Sequence, residues 1–254
     1  NVYITGNFKG TADFDPGAGI ANLVSVGSDD IFFAKYDAGG NYLWAKNIGG
    51  IGYDYSFSIV LDGSGNVYIT GTFQGTADFD PGAGTANLIS IGYDIFFAKY
   101  DNNGNYLWAK NIIGNGNDNN YSNSIEVDGS GNIYITGNFV GVADFDLGAG
   151  TANLASFGDY DIFFAKYDNN GNYLWAKRIG SMSIDIGESI VVDGSGNLYI
   201  TGFFWGADDF DPGAGTANLT ATGISDIFFS KYDTSGNYIW AKSIGVTYYG
   251  DYSI

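Results

Sequence analysis

One string of residues returns four times along the 254-residue chain, and it limits the fold more than any other feature. NVYITGNF at Asn1–Phe8 reappears as NVYITGTF at Asn66–Phe73, NIYITGNF at Asn132–Phe139 and NLYITGFF at Asn197–Phe204, at spacings of 65, 66 and 65 residues. Behind each copy follow, in fixed order, a DFD triplet, GAG-x-ANL, DIFF-x-KYD and NY-[LI]-WAK. A variable stretch then leads into S-I-x-x-DGSGN and the next copy. Self-similarity at a fixed period is the signature of a repeat architecture, in which each unit buries its apolar face against its neighbours. The expectation is a single domain over residues 1–254, made of units 1–65, 66–131, 132–196 and 197–254.

Each unit reads as four strands, written A to D. In the second unit these are Ser58–Asp62, Val67–Phe73, Asp94–Asp101 and Asn105–Gly114, rich in Ile, Val, Tyr, Phe and Trp and separated by Gly, Asn and Asp. DIFFAKYD and NYLWAKNI place apolar side chains on both alternating faces, as strands covered on both sides do. DGSGN (Asp62–Asn66, Asp128–Asn132, Asp193–Asn197) and D-x-x-G-N (Asp37–Asn41, Asp101–Asn105, Asp168–Asn172, Asp233–Asn237) are hairpin turns. In them Asp binds backbone amides two residues on, and Gly supplies a positive φ. The pattern predicts an all-β, four-bladed β-propeller, with an arc of a larger propeller as the alternative. The chain opens on a strand B and closes on Tyr252–Ser253–Ile254, the start of a strand A. This phase predicts that Tyr252–Ile254 pairs beside Val2–Asn7 to close the ring.

YITGNF-x-GTADFDPGAG…DIFFAKYD…GNYLWAK…DGSGN resembles the bacterial β-propeller repeat family known as SBBP repeats, over essentially the whole chain. Leu147 replaces the Pro of DFDPG, and the fourth unit reads ADDFDPG. The resemblance implies an extracellular or cell-surface propeller module of a large secreted bacterial protein. It implies no defined activity.

Composition removes several classes of function. With 28 acids against 10 bases the chain carries −18, which repels phosphate backbones and anionic lipid, so nucleic acid is not an expected partner. No apolar run is long enough to cross a membrane as a helix. Cys and His are absent, which removes thiolate catalysis, Cys-based zinc sites and the usual general base. Beginning at Asn1 without Met, the chain reads as a processed or excised piece.

Three sets of residues are candidates for chemistry. The first is four carboxylate pairs, Asp13 with Asp15, Asp78 with Asp80, Asp144 with Asp146 and Asp209 with Asp211, spaced to point one way from an extended segment. Beside the carbonyls of the GAG turn they suit Ca²⁺; the other reading is that they cap the turn. The D–A stretches Gly50–Phe57, Gly114–Asn123, Gly180–Glu188 and Gly245–Tyr252 diverge most between units, and carry Tyr53, Tyr55, Tyr121, Tyr248, Tyr249 and Tyr252. Tyr gives large contact area at low entropy cost, so a protein or glycan partner is expected on the face of the D–A and B–C connections. Trp205 does not recur and is either a stacking platform or local packing. The recurring Trp44, Trp108, Trp175 and Trp240 read as core between blades. The lysines of strands C and D (Lys35, Lys99, Lys166, Lys231; Lys46, Lys110, Lys177, Lys242) read as repeated ion pairs.

The expected function is a non-enzymatic binding or structural module, with other domains of a longer chain among its partners. The alternative is a carbohydrate-active enzyme working through carboxylates or calcium. Its acids would include Glu126 and Glu188, the only two Glu residues, which occupy non-equivalent positions.

Overall fold

The computed structural model describes residues 1–116 and 119–245. All regular structure there is β, in nineteen strands. The chain separates into two compact units, Asn1–Asn111 and Ile112–Ile254. In the first, β1 (Val2–Asp13), β2 (Asn22–Tyr36) and β3 (Tyr42–Gly50) form an antiparallel meander, followed by β4 (Tyr55–Leu61), β5 (Val67–Asp78), β6 (Asn87–Tyr100) and β7 (Tyr106–Gly114), whose last residues belong to the second unit. The second unit adds β8 (Tyr121–Val127), β9 (Ile133–Phe139), β10 (Val142–Asp144), β11 (Asn153–Ala155), β12 (Asp161–Tyr167) and β13 (Tyr173–Ile179). Its last repeat contributes β14 (Asp185–Val192), β15 (Leu198–Phe204), β16 (Ala207–Asp209), β17 (Asn218–Thr220), β18 (Asp226–Tyr232) and β19 (Tyr238–Ile244). The orders β8-β9-β12-β13 and β14-β15-β18-β19 are the expected A-B-C-D sheets, antiparallel throughout.

The structure departs from the expected strand limits in two places. Strand A starts earlier, at Tyr55 in β4 and Tyr121 in β8, so these two residues open strands and do not lie in loops. The segment between strands B and C is a further hairpin. In the first two repeats β1/β2 and β5/β6 run on through a register shift at Lys9/Thr11 and Gln74/Thr76; in the last two the same hairpin is the separate pair β10/β11 or β16/β17. A bulge bends a strand and sharpens its twist, and Gly10 and Gly75, with φ of 76° and 75°, supply the left-handed residue at the bend. The bent tip reaches strand D of the preceding repeat: Asp78 and Ala77 pair with Gly49 and Gly50, and within the second unit Ala143 and Asp144 pair with Gly114 and Ile113.

Strands B and C form the core. In the first unit Ile31 and Phe33 of one repeat pack with Val67, Ile69 and Phe96 of the next. In the second, Ile162 and Phe164 pack with Leu198, Ile200 and Phe228. Rings meet across these two junctions, one in each unit: Phe33 with Tyr100 at 4.4 Å and Phe164 with Tyr232 at 4.6 Å. The WAK tryptophans flank this layer: Trp44 lies 5.7 Å from Phe33 and against Gly104 of the following repeat, and Trp175 does the same with Phe164 and Gly236. The strand C lysines are not a ring of ion pairs. Lys35, Lys99, Lys166 and Lys231 instead sit over the rings of Tyr3, Tyr68, Tyr134 and Tyr199 at 4.9–5.2 Å, a cation–π contact built by the YIT and KYD motifs together. Of these four, Lys99 also reaches a carboxylate, Asp62 at 3.9 Å.

The turns follow their chemistry. Asp37 Oδ1 accepts the amides of Gly39 and Asn41, its Oδ2 accepts the Asn41 side chain, and the same three bonds recur at Asp101, Asp168 and Asp233. In β5 the motif glycine Gly71 is required because a Cβ there would run into the carbonyl of Tyr55 in strand A. Among the described residues β1 has no strand A beside it, and Val2 is 51% exposed where its counterpart Val67 is fully buried. The expected pairing of Tyr252–Ile254 with Val2–Asn7 falls outside the described residues.

Candidate functional site

The DFD triplets form the corner of the B–C hairpin. Asp78 Oδ1 accepts the amides of Asp80 and Ala86, at 3.0 and 2.8 Å, and Asp80 Oδ1 accepts that of Gly82 at 2.8 Å. The other corners repeat this with the same offsets. Asp13 accepts the amides of Asp15 and Ala21, and Asp15 accepts that of Gly17. Asp144 accepts those of Asp146 and Ala152, and Asp146 that of Gly148. Asp209 accepts those of Asp211 and Ala217, and Asp211 that of Gly213. Between the two acids Phe79, Phe145 and Phe210 are buried, and the buried phenols of Tyr100, Tyr167 and Tyr232 donate to their carbonyls.

Expected either to hold calcium or to cap the turn, the carboxylates of Asp13, Asp15, Asp78, Asp80, Asp144, Asp146, Asp209 and Asp211 all accept backbone amides. The first acid of each corner binds across the hairpin, while the second, Asp15, Asp80, Asp146 or Asp211, turns to its own glycine two residues on. Among the described residues no three acidic side chains converge at ligating distance, in these corners or elsewhere. Each pair thus caps its own turn twice. The physical reason is the supply of unpaired amides in a tight GAG turn, which a carboxylate satisfies directly. Asp209 and Asp211 line a cleft of about 430 Å³ together with Phe157, Lys177 and Arg178, and Asp15 borders another of about 370 Å³ with Pro16 and Tyr42.

Of the tyrosines singled out by sequence, Tyr53 and Tyr55 come together. Tyr53, Tyr55 and Phe57 project at alternate positions with ring centroids 6.2 and 6.4 Å apart and planes within 16° and 20° of parallel. Tyr53 is 39% exposed and Phe57 47%. Burial, followed by the charge of Asp29 and the neighbouring Tyr93, raises the pKa of the Tyr55 phenol. The result is a parallel aromatic strip edged by Asp29 and Tyr93. Tyr121 is half-buried at the start of β8 and packs 6.4 Å from Tyr160. Trp205 is half-buried against Phe203 at 5.1 Å, and its amide donates to Asp185. Tyr248, Tyr249 and Tyr252 lie outside the described residues.

A set of buried acids was not legible as a site. Asp30, Asp161 and Asp226 stand at the same position of strand C, and each accepts the amide of the residue four before it, Val26, Phe157 or Thr222. Asp54 and Asp185 open strand A; Asp54 accepts the amides of Gly50 and Gln74, Asp185 those of Ser181 and Trp205. Burial pushes the carboxyls of Asp54 and Asp161 up to about 6, the latter despite Arg178 at 2.9 Å. Arg178 stands where the first two repeats have Asn47 and Asn111, and its guanidinium lies 3.3 Å from the Phe157 ring.

Two segments of the chain, residues 43–75 and 174–202, match the SBBP beta-propeller repeat family. The chain carries beta-propeller repeats. Both matched segments run from strand D of one propeller repeat through strand A to strand B of the next, so they contain the junction with Asp54 or Asp185 at its centre. An uncharacterized WD repeat-containing protein of Acanthamoeba polyphaga mimivirus is 26% identical over 80% of this chain, and the regulatory protein FlaEY of Caulobacter vibrioides is 26% identical over 57%. The chain spans 16% and 14% of the lengths of these relatives.

The propeller repeats also place the two glutamates. Glu126 is on β8, where burial raises its pKa, in a cleft of about 420 Å³ lined by the A–B turns of two repeats. The other acids of that cleft are already engaged: Asp128 and Asp193 each accept two backbone amides and the side chain of Asn132 or Asn197. Glu188, on β14, does not line the cleft.

Proposed function

We propose that this chain is a non-enzymatic recognition and scaffolding module of a larger extracellular protein, in which four blades form one domain and a protein or glycan partner meets the side carrying the D–A connections. The observation that carries this reading is the strip Tyr53–Tyr55–Phe57. Three parallel rings, two of them well exposed, offer flat apolar area with hydroxyls at the edge, which suits a sugar face or a peptide backbone. The hairpin turns opposite are self-satisfied: their Asp, Asn and Gly groups bond to one another. A glycosidase needs two carboxyls flanking one cleft, one of them protonated, and Glu126 has only turn-capping acids around it. The WD-repeat relative and the small share of each relative that the chain spans support a module within a longer protein.

The test compares wild type with Tyr53→Ala/Tyr55→Ala on glycan arrays and protein arrays. Loss of the wild-type hits with a nearly unchanged melt supports the strip as the contact surface. Hits that persist in the double variant move the site elsewhere. The four-blade count rests on the open edge of β1, which a strand of the A type is proposed to complete.

A further inference from the structure

The fourth repeat breaks the pattern at one buried position. Ala12, Ala77 and Ala143 of the first three repeats correspond to Asp208, which is 1% exposed and whose carboxylate oxygens both lack a well-aligned hydrogen-bond donor. Asp185 lies beside it, fully buried, with the Ser181 hydroxyl on the same side. Asp161 lies near enough to feel the charge of Asp208, and its buried Oδ1 has no hydrogen-bond donor. The cation on this cluster is Arg178, bound to Asp161 Oδ2 at 2.9 Å. Three carboxylates and one guanidinium leave two negative charges in a region closed to water, where an uncompensated ion costs several kcal/mol. A shared proton removes one of those charges. A divalent cation removes both.

We propose that Asp185 and Asp208, with the Ser181 hydroxyl, bind one calcium ion at the junction of the third and fourth repeats. Hard oxygen donors of this kind are what Ca²⁺ takes, and two carboxylates and a hydroxyl leave coordination positions for water or main-chain carbonyls. Because no third acidic side chain among the described residues converges on the pair at ligating distance, Asp161 acts from outside as part of the charge balance, held by Arg178. The first three repeats lack the second carboxylate and have no such site. The ion would tie β16 to the start of β14, fixing the B–C hairpin of the last repeat to the stretch that enters its strand A. The site is separate from the four DFD corners, whose acids cap their own turns.

The experiment uses the whole chain. Chelator-treated protein is titrated with calcium chloride in a calorimeter, and melted in calcium and in chelator. One ion per chain is expected, with a melting temperature roughly 5–10 °C higher at a hundredfold excess over Kd. Asp208→Ala, which restores the residue of the other three repeats, and Asp208→Asn should each bind no calcium and melt identically in the two buffers. Wild type that ignores calcium, while Asp208→Ala melts higher at alkaline pH, would assign the pair to a shared proton and overturn the proposal. A calcium effect that survives in both variants would place the ion elsewhere and overturn it equally.

Discussion

Replacing Asp54 by Asn should stabilise the protein at pH 8 and do almost nothing at pH 5. Asp54 is fully buried, and its carboxyl is raised from 3.8 to about 6 by burial, against the opposing pull of the Gly50 and Gln74 amides. Because the folded pKa lies above the unfolded one, the native state holds the proton longer, and stability falls as pH rises from about 4 through 6. Two pKa units are roughly 3 kcal/mol, and about half of that loss, ~1.4 kcal/mol, falls between pH 5 and 8. Asn carries no charge and removes this cost, but its single oxygen can keep only one of the two amides, a loss of about 1–2 kcal/mol. The balance is a gain of about 1–2 kcal/mol at pH 8 that vanishes near pH 5, or roughly 3–6 °C in melting temperature at the higher pH. The third repeat already carries Asn120 at this position, with Oδ1 accepting the amide of Val140, so the backbone accommodates the amide. Thermal melts of both proteins at pH 5, 6, 7 and 8 decide the matter. A difference that is the same at every pH, or a variant less stable at pH 8, would refute the assignment of a buried, reluctantly charged carboxylate to Asp54.

Arg178→Ala should cost about 3–5 kcal/mol at pH 8 by stranding Asp161, and less at pH 5, where Asp161 takes up a proton; urea unfolding at the two pH values checks this. Arg178→Asn should cost less than the alanine variant, since Asn47 and Asn111 hold this place elsewhere by donating to the carbonyls of Val24 and Ile89. Gly71→Ala should be severely destabilising, because the added Cβ meets a backbone carbonyl. Gly6→Ala meets only the Phe32 ring among the described residues; if a strand A completes β1, its cost should equal that of Gly71→Ala, and a mild effect would speak for an open edge.

The repeat, the four strands and both turn types were readable because each is local: period-two apolar patterning makes the strands, and an Asp and a Gly at fixed offsets make the turns. The B–C hairpin was not. Its ADFDPGAGTANL sequence is poor in β-branched residues and broken by Pro and Gly, and its partners at Gly49 and Gly50 belong to the preceding repeat, a pairing that no local window reveals. The same blindness affects its acids. Asp15 and Asp146 read equally well as ligands or caps until the amides of Gly17 and Gly148 are seen to take them. Tyr55 and Tyr121 read as loop residues for a similar reason, because neighbouring Gly, Asn and Asp mask a strand that starts through pairing with strand B. The buried acids Asp54, Asp161 and Asp185 sit in polar stretches whose composition suggests solvent. One signal was present in the sequence: Asp208 stands alone against three alanines at its position, and its weight becomes clear only once Ala77 and Ala143 are seen to be buried.

The grip of the second and third B–C hairpins on the strand D before each means that the unit of duplication is not a unit of folding. A 65-residue segment cut out at the sequence boundary would keep its own sheet but lose the main-chain bonds that Gly49 and Gly50 make to Asp78 and Ala77, together with the ring contacts across the junction. Stability in such an array is a sum of weak internal terms and strong neighbour terms. Shortening it should therefore be punished at the cut ends first, and lengthening it should add more than each new repeat holds by itself. A chain of this kind grows by whole duplications more readily than it tolerates the loss of an interior member such as the second repeat, which is at once a donor and a receiver of a hairpin.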